Sequence, residues 1–323
     1  MPLIETSSYR SPFGLSNGHL QTIYPTVFRR QPIVDYARER IDTPDGDFLD
    51  LDWLKTGTTN RLVILTHGLE SSSNSKYICG MAQVFERRGW HALAWNLRGC
   101  SGEPNACLTS YHSGSTGDLS TVINHAIRTH SYDTIALVGF SLGGNITLKY
   151  LGDIGNAVAP AIKAAVAFSV ATDLASSAAR LERFENKIYM RRFLTTLTDK
   201  VRYKMKQFPG KVAAAKLNRM RTFREFDGTY TAPLNGFENA DDYWRRCSCS
   251  QVLSNISVPT LLVNAYNDPF LPEACYPSKV AQNHSKLYLE TPRSGGHMGF
   301  IALNEENEYW SERRAIEFIQ GYT

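Results

Sequence analysis

Thr134-Ile-Ala-Leu-Val-Gly-Phe-Ser141-Leu-Gly-Gly-Asn145 is a β-branched and apolar run that delivers a serine into a Gly-x-Ser-x-Gly turn, with a helical pattern directly behind it. A serine hydroxyl is a poor nucleophile unless it stands proud of the backbone beside a base, and a sharp strand-to-helix turn achieves this. The turn crowds the backbone, so Gly139 and Gly143 stand where a Cβ would clash. Ser141 is therefore the candidate nucleophile.

An acid and a histidine are expected downstream in that order, the acid at the end of a later strand and the histidine in a loop near the C-terminus. Val258-Pro-Thr-Leu-Leu-Val-Asn-Ala-Tyr-Asn-Asp268-Pro-Phe270 reads as a buried strand ending on Asp268, where Pro269 stops the ladder. Lys286-Leu-Tyr-Leu-Glu-Thr291 is a short last strand before Ser294-Gly-Gly-His297-Met-Gly-Phe300, a glycine-rich loop that presents His297. His297 is expected to take the serine proton and return it to the leaving group, with Asp268 fixing its tautomer and stabilising the imidazolium. Asp173, which follows an earlier strand, is the fallback acid. The oxyanion needs two preorganised N–H donors. Leu142, next to the nucleophile, supplies one, and Leu69, in the strand end Thr66-His67-Gly68-Leu69-Glu70, supplies the other.

With 323 residues, 42% hydrophobic and 20% charged, the composition is that of a globular chain long enough for one large α/β core with an insertion. The N-terminal residues lack a basic region followed by an apolar core, and no apolar run approaches the length of a membrane span, so a soluble cytoplasmic protein is expected. The six cysteines are too sparse for a disulfide scaffold and lack the paired spacing of a zinc site. Cys247 and Cys249 are expected to be half-exposed near a loop. No metal or organic cofactor is expected, and the absence of a Gly-Lys-[Ser/Thr] phosphate loop or a G-x-G-x-x-G argues against nucleotide binding.

Strand patterns at 47–53, 61–66, 91–97, 134–140 and 161–170 alternate with helical ones at 75–88 and 116–129. That rhythm predicts a mostly parallel central sheet flanked by helices, with its ligand crevice at the carboxyl ends of the strands. From 171 to 255 the rhythm breaks into a mostly helical stretch. This is expected to be a cap inserted over the site, leaving residues 1–170 and 256–323 as the core. Between Arg180 and Arg224 stand 14 lysines and arginines against 3 acidic residues, a net of +11 in a chain of +4. Such a stretch is either a solvated helical surface or a basic collar that attracts an anionic substrate or an anionic lipid surface. Few aromatics interleave it, so no nucleic acid is expected.

Taken together, these segments resemble the α/β-hydrolase superfamily, and within it the YheT-like branch, over nearly the whole chain. Beside Gly139-Phe-Ser-Leu-Gly-Gly144, the segments that carry the likeness include Asn17-Gly-His-Leu-Gln-Thr-Ile-Tyr-Pro25, Asn96-Leu-Arg-Gly-Cys-Ser-Gly-Glu-Pro-Asn105, Tyr111-His-Ser-Gly114, Phe226-Asp-Gly-Thr-Tyr-Thr-Ala-Pro233 and Asn267-Asp-Pro-Phe270. The resemblance implies a serine hydrolase of carboxylic esters, of short- to medium-chain acyl or lipid-like type, using Ser141, Asp268 and His297. Acyl transfer to an alcohol is the nearest alternative, and a binding module without chemistry is a more distant one. The branch often has an aspartate where Asn267 stands. His19 and His112 fall in branch-like motifs and are expected to be hydrogen-bonded loop residues.

Overall fold

The computed structural model describes residues 3–212 and 217–323. Residues 1–2, at the head of the expected core, and residues 213–216, inside the expected cap and its basic run, lie outside the described residues.

The strands are β1 (Leu3–Ile4), β2 (Ala37–Asp42), β3 (Phe48–Leu54), β4 (Arg61–Thr66), β5 (His91–Trp95), β6 (Thr134–Phe140), β7 (Ile162–Phe168), β8 (Thr260–Val263) and β9 (Leu287–Glu290). They form one sheet in the order β1-β9-β8-β7-β6-β4-β5-β3-β2. Only β3 pairs antiparallel with its neighbours, β2 and β5, and the other pairs are parallel. The helices that bear on the site are α1 (Gly18–Phe28), α2 (Lys76–Glu86), α3 (Thr116–Thr129), α4 (Leu142–Ile154), α5 (Leu174–Leu181) and α6 (Lys187–Gln207).

A parallel strand buried on both faces must be apolar at every position, and the period of two sends alternate residues into different cores. Leu62, Ile64 and Leu137 pack with Leu119, Val122 and Ile146 of α3 and α4. Val63, Leu65 and Val138 pack on the other side with Ile78 and Phe85 of α2 and with Ile316 of the C-terminal helix Trp310–Gln320. Thr66 pairs with Gly139 and Phe140 with Phe168, so β4, β6 and β7 end at one level. At that level an α/β sheet opens its ligand crevice.

Two peripheral elements depart from the sequence expectation. β2 reads as charge alternation, and it is an edge strand whose Arg38 and Arg40 pair with Asp52 and Asp50 of β3. α1 spans a motif-bearing segment in which no helix is expected, and it carries Pro25 in its interior. The segment from 171 to 255 adds no strand among the described residues. It has its own apolar cluster, where Met190, Leu194 and Val201 of α6 meet Phe223, Phe226 and Trp244.

Burial corrects two further expectations. Cys247 and Cys249 are buried in that cluster and beneath it, not half-exposed. Within the basic run, Lys204 is buried, and its ammonium donates to the carbonyls of Asn105, at 2.8 Å, and Cys107. Lys200 reaches Glu70 at 2.9 Å. A buried ammonium needs such partners, so part of the charge that looks like a solvated collar instead fastens α6 to the sheet loops.

Candidate active site

β6 ends at Phe140 and α4 begins at Leu142, so Ser141 alone makes the turn. Its φ of 52° and ψ of −117° lie in a region costly to any residue with a side chain, by about 1–3 kcal/mol. The surroundings enforce this conformation: the Ser141 N–H donates to the Phe168 carbonyl at 2.8 Å. A Cβ on Gly139 would stand 2.5 Å from the Gly143 carbonyl oxygen, and one on Gly143 would stand 2.3 Å from that of Thr66. The two glycines let three backbone segments close around the serine.

The His297 loop is clamped from two directions. The His297 N–H donates to Thr22 Oγ1 of α1 at 2.9 Å, and the Gly296 N–H donates to Asn267 Oδ1 at 2.9 Å. Asn267 in turn donates to the Ser16 carbonyl at 2.7 Å, so the side chain found where an aspartate often stands ties α1's approach to the histidine loop. His297 Nδ1 then lies 2.9 Å from Asp268 Oδ2, and its Nε2 lies 2.9 Å from Ser141 Oγ. The other Asp268 oxygen accepts the Phe270 N–H at 2.9 Å. The structure thus brings Ser141, Asp268 and His297 together. Asp173 is elsewhere: it caps α5, accepting the Ser176 N–H at 2.8 Å.

Leu69 and Leu142 line the same cavity as Ser141. Leu142 is the first residue of α4, where an N–H has no partner inside the helix. The loop that carries Leu69 is pinned at every other residue. The Gly68 N–H donates to Tyr77 Oη at 3.0 Å, and the Glu70 N–H donates to Tyr111 Oη at 3.0 Å. Tyr111 Oη donates back to the Glu70 carboxylate, which also holds the Lys200 ammonium. His67 is wholly buried, and that burial pushes its pKa down to about 4. It is therefore neutral: Nδ1–H donates to the Gly68 carbonyl at 2.8 Å, and Nε2 accepts the Leu97 N–H at 3.1 Å. Glu70 adopts a positive φ of 52°, which marks the loop as held rather than relaxed.

Lys200 is thus the one tie from α6 to this loop that sequence reasoning passed over. Lys200→Met is expected to lower kcat for ester turnover while leaving KM nearly unchanged, by a fraction of the roughly 10²-fold that a lost oxyanion donor costs. Steady-state kinetics check this. Adding Glu70→Gln, which removes the carboxylate stranded by the first change, is expected to recover stability but not rate.

The cavity over Ser141 holds about 130 Å³. Its walls come mainly from the 171–255 segment, including Leu174, Ala178, Leu181, Phe193, Phe226 and Trp244. They are mostly apolar, and two of the polar residues among them, His112 and Asp227, fall in the motif segments. His112 has its pKa pushed down to about 4 by burial, and its Nδ1 accepts the Gly114 N–H at 3.1 Å. Asp227 opens a π-helical turn, Asp227–Thr231, and accepts hydrogen bonds from Thr231 Oγ1 at 2.6 Å and Trp244 Nε1 at 2.8 Å. His19 lies outside the cavity, with Nδ1 3.1 Å from Tyr189 Oη and its ring stacked on that tyrosine. Among the described residues no group of three or more His, Cys, Asp or Glu side chains converges as a metal site.

Burial raises the Asp227 pKa to about 6, against roughly 3.9 in an unfolded chain. The protonated form is favoured in the fold, so this residue's contribution to stability is present below about pH 4 and lost as pH rises through 6. A rise of that size corresponds to about 3 kcal/mol. Asp227→Asn does not titrate. Its stability relative to the parent is expected to improve by up to that amount between pH 4 and pH 7, as read by urea unfolding at each pH. A pH-independent difference would show the carboxylate to be better solvated than its burial implies.

Residues 61–302 match the family model described as the alpha/beta hydrolase fold. The chain is 36% identical, over 96% of its length and 92% of the relative's, to YheT of Escherichia coli (strain K12), to which an esterase activity is ascribed. It is 29% identical to the phospholipase ABHD3 of Homo sapiens over 98% of this chain and 80% of that one. Among solved structures, the esterase Pf2001 of Pyrococcus furiosus superposes with a TM-score of 0.61 at 16% identity, covering 90% of this chain and 91% of that one. With its sheet order, its strained serine turn and these likenesses, the chain belongs to the α/β-hydrolase family.

Proposed function

We propose that this protein is a serine hydrolase of carboxylic esters that works through an acyl-enzyme on Ser141. The observation that carries the reading is the unbroken chain from Ser141 Oγ through His297 to Asp268, with both contacts at 2.9 Å. His297 Nε2 takes the hydroxyl proton as Oγ attacks the ester carbonyl, and the oxyanion that forms is met by the N–H groups of Leu69 and Leu142. The proton then passes from His297 to the departing alkoxide. Water activated by the same nitrogen releases the acid and restores Ser141.

Residues 171–255 act in this reading as a cap whose apolar walls receive a short- to medium-chain acyl group or a lipid-like ester. Two relatives support the lipid end of that range by name: the human phospholipase ABHD3 and the monoacylglycerol lipase of Saccharomyces cerevisiae (strain ATCC 204508 / S288c), to which the chain is 26% identical. The exposed cations of the cap favour an anionic lipid surface as the place where substrate is met. Among the described residues no helix is long and apolar enough to cross a membrane. Six free thiols fit a reducing compartment such as the cytoplasm. A panel of p-nitrophenyl esters of graded chain length, run beside fluorophosphonate labelling, tests the reading. Turnover without labelling at Ser141 would assign the chemistry to another group.

A further inference from the structure

α1 is inside out. An amphipathic surface helix buries its apolar stripe and exposes its polar face. Here the only fully buried residue is Gln21, which accepts from Tyr9 Oη at 2.8 Å and donates to the Leu15 carbonyl at 2.6 Å. The opposite face carries Leu20, Ile23 and Val27, spaced at three and four residues, with Val27 59% exposed, and Phe28, the last residue of the helix, is 67% exposed. No charged side chain occurs between Gly18 and Phe28. Polar anchoring on the core side and four apolar side chains in water are a costly arrangement for a helix that meets nothing.

The charge beside this face says what it meets. His19 Nδ1 lies 3.1 Å from Tyr189 Oη, which joins α1 to the start of α6. There Phe184 and Ile188 are also exposed, 84% and 70%, one helical turn apart. Around them Arg183, Lys187, Arg191 and Arg192 are exposed and, among the described residues, form no ion pair with a carboxylate. Gly18 and His19 share a surface groove with Arg183, so the apolar and basic surfaces adjoin. Large apolar side chains with a basic border are the composition of an element that lies in a lipid interface. A second copy of this chain would bring the same cations against themselves, whereas an anionic lipid surface complements them.

We propose that α1, together with the Phe184–Ile188 turn, docks the protein on an anionic lipid surface and so presents the active site to lipid esters in the bilayer plane. The proposal rests on the ester-hydrolase reading only for its purpose, not for the docking. Thr22, on the core side of the same helix, holds the His297 N–H, so the docking element is anchored directly to the histidine loop. A docked α1 would thus hold the histidine loop directly behind the lipid contact.

The test is co-sedimentation of the full chain with vesicles of phosphatidylcholine alone and of phosphatidylcholine mixed with phosphatidylglycerol. The parent protein is expected to bind the mixed vesicles, and less so as salt screens the cations. Ile23→Glu/Val27→Glu is expected to bind them at least roughly tenfold more weakly, because it places two charges where apolar groups insert. It should keep the parent's melting temperature and its rate on a soluble p-nitrophenyl ester. Phe184→Ser/Ile188→Ser, on the other element, gives an independent reading should the first variant fold poorly. No binding by the parent, or binding untouched in both variants, overturns the proposal. A dimer in sedimentation velocity that the glutamates dissolve would assign the face to a second copy. Lack of ester turnover by the parent would instead sink the hydrolase reading and leave the vesicle result standing.

Discussion

Ser141→Ala is expected to lower kcat on any ester substrate by roughly 10⁴- to 10⁶-fold and to abolish fluorophosphonate labelling. Alanine retains the Cβ, so the backbone strain at φ 52° and the packing of the turn are unchanged and only the hydroxyl is lost. Unfolding should therefore occur at the parent's temperature. Ser141→Gly separates chemistry from strain. It removes the hydroxyl and also the clash that makes this conformation costly, so it should be as inactive as alanine and more stable by up to about 1–3 kcal/mol. An alanine variant with near-normal turnover would refute the acyl-enzyme. A glycine variant no more stable than the parent would show that the turn stores no strain at the serine.

The core of the site is legible in the sequence because its constraints are local. A buried parallel strand must be apolar throughout, the turn behind it must admit Gly139 and Gly143, and the residue between them is then fixed. Asp268 and His297 are readable because each follows a strand pattern, although β8 stops at Val263 and not on Asp268, and β9 stops at Glu290, so both residues stand in the loops beyond their strands. What is not legible depends on three-dimensional neighbours. Lys200 and Lys204 look like solvated charge in a basic run, and only the fold shows their ammonium groups engaged with Glu70 and with loop carbonyls. α1 escapes a reading built on periodicity because its buried side is glutamine and its exposed side is leucine, isoleucine and valine. That inversion hides a helix whose outer face is not made for water. Asp227 sits in a motif segment with no chemistry attached to it, and its place in the cavity wall follows from the packing of 171–255 over the sheet.

Asp268→Asn is expected to slow turnover by roughly 10³- to 10⁴-fold with little change in stability. The carboxylate only accepts hydrogen bonds, so facing His297 Nδ1 it requires the proton there and leaves Nε2 free to receive the Ser141 proton. An amide nitrogen in the same place donates, which favours the opposite tautomer and blocks the nitrogen that must act as base. The amide oxygen can still accept the Phe270 N–H, now at 2.9 Å, so the loop should hold its shape and the loss should fall on rate rather than on folding. Asp173→Asn is the matched control. Asparagine caps a helix about as well as aspartate, so α5 should keep its first turn and the enzyme its turnover. The reverse pattern, with Asp173→Asn inactive and Asp268→Asn near normal, would place the acid at the end of β7 and require His297 to turn toward it during the reaction.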